Sequence, residues 1–372
     1  MAVKVREVKS ARERRLFIYL PERLYERRYP CWVHPVYKTQ RIFFNPKRHA
    51  AWRFSDAVLF LAWRGKQVVG RVMGIINHRV NEYHNTRESR FGFLDAVNDK
   101  EVASTLLSRV EEWVKAKGYE YIVGPLGFAN TDPAGILVEG YDQRGSVGEP
   151  WHPPYLHRLV EAAGYRKEVD WVTYYVDIKS PPKVYAKIAE RVLRSGRYKL
   201  VEFSDRKELK KWVKPVFALM NETYHDLYGF SPLTEGEIDK VVKEYLPVLD
   251  SRLVKLVTFK GRVVAFAVGI PDFSNGIRKA RGRLYPFGLI KIIRARRNSR
   301  RLDMVLGAIK EEHRGKGLNV LMANALFETS FKLGLTHIDS HPELETNTKM
   351  RAEMERLGGR VYKRHRLYRK DF

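Results

Sequence analysis

Ile309-Lys310-Glu311-Glu312-His313-Arg314-Gly315-Lys316-Gly317-Leu318 is the most informative run of the chain. An apolar strand, Leu302 to Ile309, runs into it. A helix, Val320 to Leu333, runs out of it with Leu321, Ala325, Phe327 and Leu333 at roughly helical spacing. Two glycines let the backbone curl close to a ligand, and Arg314 and Lys316 add positive charge. The first helical turn then presents N–H groups that have no partner within the helix. Such a junction seats an anion the size of a pyrophosphate, and the contacts are expected from Ile309, Arg314, Gly315, Lys316, Gly317, Leu318 and Asn319.

The order strand, Arg-Gly-Lys-Gly, helix resembles the coenzyme A loop of the GNAT acyltransferase superfamily. That pattern ends in Gly or Ala where this chain has Asn319. Downstream, Thr336 to Asp339 reads as a strand, Asn347 caps a helix Thr348 to Leu357 that stops at Gly358-Gly359, and Val361 to Tyr368 reads as a last strand. GNAT proteins end in the same way. The resemblance implies an α/β (α+β) fold with a mixed sheet, acyl-CoA or coenzyme A as co-substrate, and no metal.

The pattern recurs in the first half. Val58 to Ala62, Val68 to Asn77 and Phe91 to Ala96 read as strands, with Gly65-Lys66 as a turn. A helix Val102 to Lys117 and a strand Tyr119 to Val123 follow. Where the second copy has Arg314 to Gly317, the first has Asn98-Asp99-Lys100-Glu101, and two acids at a helix start repel a pyrophosphate. The expectation is two tandem GNAT domains: residues 1–180, degenerate and without a coenzyme A loop, and 181–372, with one. The joint is Ile178-Lys179-Ser180-Pro181-Pro182.

Beyond the loop, the chain resembles the YghO-like family of tandem GNAT proteins associated with bacterial ceramide synthases. The resemblance is carried by Trp32-Val33-His34-Pro35, Phe91-Gly92-Phe93, Gly135 to Tyr141 and Gly229-Phe230-Ser231-Pro232-Leu233-Thr234, among other stretches. It implies N-acylation of an amine, with a long-chain amino lipid as acceptor in the ceramide synthase branch.

Acyl transfer to an amine needs a base for the ammonium, a polarised thioester carbonyl and a route for a proton to the thiolate. His341, Glu343 and Glu345 follow the fifth strand of the second copy, with Asn347 next. Glu345 is the expected base, Asn347 and His341 its companions; a helix cap is the equal alternative for Glu345 and Asn347. The tyrosine that serves many GNAT enzymes as general acid is replaced by Met354, leaving Tyr362 and Tyr368 as remote substitutes. Val213 to Tyr228 reads as an amphipathic helix whose Asn221, Tyr224, His225 and Tyr228 are the expected acceptor contacts.

The chain of 372 residues with 44% hydrophobic content can bury two cores. No apolar run has the length of a membrane span, and the charged first ten residues lack the centre of a signal peptide. One cysteine, Cys31, excludes an internal disulfide and a cysteine metal cluster. A cytoplasmic protein is expected, with peripheral contact at the inner face of an anionic membrane. The net charge of +26 attracts phosphates of some kind, or reflects a thermophilic surface. Ile277 to Arg301, aliphatic and basic with no acid, suits either such a membrane contact or a core-filling connector. The expected partners are an acyl donor, coenzyme A or acyl carrier protein, and an amine acceptor of lipid type. A Fem-like aminoacyl-tRNA-dependent transferase, or a non-enzymatic nucleic-acid or membrane binder on the same scaffold, are the alternatives. Nucleic acid is not an expected partner, because no recognition motif accompanies the charge.

Overall fold

The computed structural model describes residues 1–129, 132–146, 148–178, 183–225, 227–246, 249–340 and 342–372. His341 and residues 179–182 of the expected joint lie outside them. The strands are β1 Val3–Glu7, β2 Ser55–Arg64, β3 Gln67–Asn77, β4 Ser89–Ala96, β5 Tyr121–Gly124, β6 Ile136–Glu139, β7 Arg166–Asp177, β8 Tyr198–Val201, β9 Val254–Phe259, β10 Arg262–Pro271, β11 Arg301–Ile309, β12 His337–Asp339, β13 Glu343–Leu344 and β14 Arg360–Asp371. They form one mixed sheet in the order β1-β2-β3-β4-β5-β14-β7-β12-β11-β10-β9-β8, with β6 on β14 and β13 on β7.

The repeat is plain in this order. In each half an antiparallel run, β1 to β4 or β8 to β11, ends on a parallel neighbour, β5 or β12. The last strands are then exchanged. β7, from the first half, lies antiparallel to β12 of the second; β14, from the second, lies antiparallel to β5 of the first; and the two pair with each other over most of their length. A division at residue 180 therefore separates the copies along the chain but cuts across the sheet.

Each half packs helices on both faces of its strands. In the first, the helix Lys100–Lys115 lays Val102, Leu106 and Val110 on β2 and β3. It comes so close that a Cβ on Gly70 would meet Leu106 Cδ1 at 2.7 Å. The opposite face carries the helix Ala11–Tyr25. In the second half the helices Leu318–Lys332 and Lys183–Arg194 cover one face, burying Leu318, Leu321 and Val192. The helices Val213–Thr223 and Glu235–Tyr245 cover the other. The helix expected over Val213 to Tyr228 stops at Thr223: Tyr224 N bonds back to Met220 O, and the chain then turns through Leu227 and Phe230.

Candidate active site

β11 delivers the chain to Ile309, a short turn Glu311–His313 follows, and the helix Leu318–Lys332 begins after Gly317. Gly315 and Gly317 have φ of 74° and 80°, in the left-handed region that glycine reaches without strain. A Cβ on Gly317 would also crowd Val192 Cγ2 at 3.0 Å. No side chain caps this helix, so its first amides have no competitor for an incoming anion. The first copy is opposite in this respect: Asp99 accepts from Glu101 N and Val102 N and fills its own helix start.

Arg314 is half exposed, with Nε on Ile309 O at 3.3 Å, and Lys316 reaches Glu312 O at 2.6 Å. Beside the loop, Arg191, Arg197, Lys316, Gly315 and Asn319 line a shallow depression. Leu318 is buried in the core and contributes backbone alone.

The second element is a fork. β11 pairs with β12 through Arg301↔His337, Leu302↔Ile338 and Asp303↔Asp339. From Met304 to Ile309 no strand pairs with β11 on that side among the described residues. The corresponding fork between β4 and β5 is closed by the chain itself, where Leu126 N bonds Phe91 O at 2.9 Å. In the open fork, the Tyr224 hydroxyl donates to Gly307 O at 3.1 Å and accepts from Gly307 N at 3.2 Å. Burial, with the nearby Glu343 adding, pushes its pKa up to about 12.

Loop and fork open on a cavity of about 1890 Å³. Gly315 and Asn319 border both it and the depression beside the loop. Its walls are mainly apolar: Val213, Val216, Phe217, Met220, Leu227, Phe266, Val268 and Met304 to Ala308 on the second-half side, continuing to Leu126, Phe128, Phe43 and His49 in the first half. Drug-sized ligands fill about 300–1,000 Å³. This space suits one or two long chains.

Charged side chains enter this lining at several places. Glu343, on β13 opposite Val172 of β7, faces the cavity, and its carboxyl has no hydrogen-bond or ion-pair partner among the described residues. Burial raises its pKa to about 7. At the base of the fork Arg301 donates to Asp303 at 3.2 Å and forms an ion pair with Asp272 at 3.0 Å, and Lys363 donates to Asp339 at 3.1 Å and to Glu149. Tyr362 is tied to Asp339 there and Tyr368 to Glu161, so neither substitute acid faces the splayed strand. Met354 lines the cavity and has no proton to give. At the far end burial raises Asp132 to about 6 and lowers His49 to about 4.

The residues expected from the sequence divide accordingly. Ile309, Arg314, Gly315 and Asn319 border the cavity, as do Tyr224, Tyr228 and Asn347. Asn347 caps the helix Thr348–Arg356 through Met350 N. Asn221 and His225 do not reach the cavity. The Asn221 amide clasps Leu233 through both its groups at 3.0 Å, and His225 is exposed with Nδ1 on Glu222 O. Glu345 is also outside the cavity: it holds Lys167 at 2.7 Å and accepts from Asp170 N at 3.1 Å, which pins β13 to β7. Glu343 is the carboxylate that the sequence reading passed over.

No family model matches the chain. It is 29% identical to a bacterial ceramide synthase of Caulobacter vibrioides, an alignment covering 98% of this chain and 96% of that one. It is 25% identical to the protein YghO of Escherichia coli, covering 99% and 95%. Among solved structures it superposes on a tandem GNAT protein from the clavulanic acid biosynthesis pathway with a TM-score of 0.56, at 12% identity over 99% of this chain and 98% of that one. The chain has the tandem GNAT fold. A GCN5-related N-acetyltransferase from Sphaerobacter thermophilus gives a TM-score of 0.53 at 13% identity, with 99% and 95% covered. Within the tandem GNAT fold, the open fork and uncapped helix place the distinctive features of this chain in its second copy.

Proposed function

We propose that the protein is an N-acyltransferase that moves an acyl group from acyl-CoA, or from an acyl carrier with the same phosphopantetheine arm, to a primary amine of an amphiphile. The observation that carries this reading is the continuity of an uncapped, positively charged helix start with an apolar cavity of about 1890 Å³ across Gly315 and Asn319. An anionic donor head and a long apolar tail need those two environments side by side. The name of the Caulobacter relative supports an amino lipid as acceptor.

In this reading the amides after Gly317, with Arg314 and Lys316, hold the pyrophosphate, and Arg191 and Arg197 face the donor's remaining phosphate. Glu343 is the base. A carboxyl poised near neutrality can take a proton from an ammonium and release it again. The free amine then attacks the thioester carbon, and the C–S bond breaks as the C–N bond forms. Tyr224, protonated and beside Gly307, gives its hydroxyl proton to the departing sulfur and is restored by the proton that the amine nitrogen loses. Glu345 is assigned to holding β13, Asn347 to capping, and residues 1–180 to the far wall of the acceptor space. A cytoplasmic location with peripheral contact at an anionic membrane belongs to the same reading, since a long-chain amine resides in such a membrane; among the described residues no helix is long and apolar enough to cross one. Titrating palmitoyl-CoA against the protein and its Arg314→Ala variant tests the donor half. Saturable binding weakened about tenfold in the variant is expected, and equal binding by both contradicts it.

A further inference from the structure

The excursion between β10 and β11 leaves the sheet at Pro271 and rejoins it at Arg301, its ends tied by Asp272 N to Arg301 O at 2.9 Å. It folds as a hairpin of the helices Ser274–Lys279 and Gly288–Arg297, packed closely enough that a Cβ on Gly276 would meet Ile292 Cα at 2.6 Å. Its turn is anchored to the first half. Tyr37 N bonds Gly282 O at 3.0 Å, Arg283 pairs with Glu22 at 3.0 Å, and Arg281 pairs with Glu22 and Glu26. Beyond those anchors the hairpin presents apolar groups to solvent: Tyr285 is 73% exposed, Phe287 67%, Ile290 63%, Leu289 45% and Ile293 39%.

Gly288 and Ile292 face inward, so the helix is already packed and the exposed side chains are surplus to its core. Scattered exposed apolar residues need no explanation, but five within nine positions of one element mark a contact surface. The charge around them is of one sign. No acid occurs from Phe273 to Leu302, and Arg294, Arg297 and Arg300 make no ion pair with an acid among the described residues. Apolar side chains flanked by unneutralised arginines fit an anionic lipid surface, with the former among acyl chains and the latter at phosphates.

We infer that this hairpin, led by Phe287, Leu289, Ile290 and Ile293, is the element that docks the protein on an anionic lipid bilayer. The inference deepens the proposed amphiphile chemistry and rests on it for its purpose, but its test does not. In flotation, wild type is expected to bind mixed phosphatidylcholine–phosphatidylglycerol vesicles and to remain unbound with phosphatidylcholine alone. Ile290→Ser with Ile293→Ser, and separately Arg294→Gln with Arg297→Gln, each lower the partition coefficient about tenfold. All four side chains are solvent-facing, so folding should survive. In a Phe287→Trp variant the emission of the introduced indole shifts to the blue on the mixed vesicles. Unchanged partition in both double variants, no emission shift, or no flotation of wild type overturns the inference, the last turning the surface towards a protein partner. Palmitoyl-CoA binding, measured without vesicles, is expected to be equal in all variants. Its absence from wild type would overturn the proposed reaction and leave the vesicle result standing.

Discussion

Replacing Glu343 by Gln separates catalysis from stability. The carboxyl faces the cavity without a partner, and burial holds its pKa at about 7 rather than the ordinary 4.5. Because the folded value is raised, the folded state binds more protons than the unfolded state between those values. Stability therefore falls as pH rises through that window and stays reduced above it. At about 1.36 kcal/mol for each tenfold change in proton affinity, the ionised carboxylate costs roughly 3 kcal/mol as an upper bound. A neutral amide in the same place avoids that cost. Glu343→Gln should therefore match wild type near pH 4, below the unfolded value, and exceed it at pH 8 by up to about 3 kcal/mol, or about 4 °C in Tm for a chain of this length. In the same variant, thiol release from palmitoyl-CoA in the presence of a long-chain amine should fall at least about a hundredfold, and the rise of kcat/KM through neutral pH should disappear. Greater stability with lost activity is the signature of a group kept for function. A variant no more stable at pH 8, or one that keeps both its rate within a few-fold and the neutral limb of its pH profile, would show that Glu343 is not a buried base.

Other perturbations test the parts. Glu345→Gln removes the ion pair with Lys167 and should leave turnover within a few-fold of wild type while lowering stability by about 1 kcal/mol in chemical denaturation. Tyr224→Phe keeps the ring and removes the hydroxyl held on Gly307; kcat should drop by about tenfold to a hundredfold with palmitoyl-CoA affinity nearly unchanged, a split read from steady-state kinetics. Gly317→Ala forces a side chain into a φ of 80° and against Val192, and should lower both Tm and coenzyme A affinity in calorimetry, whereas Asp99→Asn should leave that affinity untouched. Val216→Trp narrows the apolar cavity, so turnover of long-chain acyl-CoA should fall relative to short-chain acyl-CoA in a competition assay.

The glycine turn and the uncapped helix start after it were legible because their signal is local. Glycines at positive φ, a strand before them and helical spacing after them fit within about twenty residues, and the contrast with Asp99 could be read in the same way. Asn347 was legible as a cap for the same reason. The exchange of β7 and β14 was not, since which strand lies beside another depends on partners far along the chain. Nor was the choice between Glu343 and Glu345. Alternation along a strand would put both on one face, but β13 ends at Leu344 and the chain turns, so Glu345 bonds Asp170 while Glu343 faces the cavity. His225 falls outside the cavity because the helix expected to carry it stops at Thr223, and Asn221, still on the helix, is claimed by a loop contact with Leu233. The aliphatics of the hairpin between β10 and β11 could be read as core filling or as surface from their sequence, and the packing of Gly276 on Ile292 decides for surface.

Incubating the purified protein with palmitoyl-CoA and sphinganine, with both products followed by mass spectrometry, decides whether it acylates a long-chain amine. An N-palmitoyl amide is expected to accumulate in step with free coenzyme A, and both are expected to be lost in Glu343→Gln. Binding of palmitoyl-CoA with no amide formed from sphinganine or from other long-chain amines, or thiol release by hydrolysis alone, would contradict the proposed acylation.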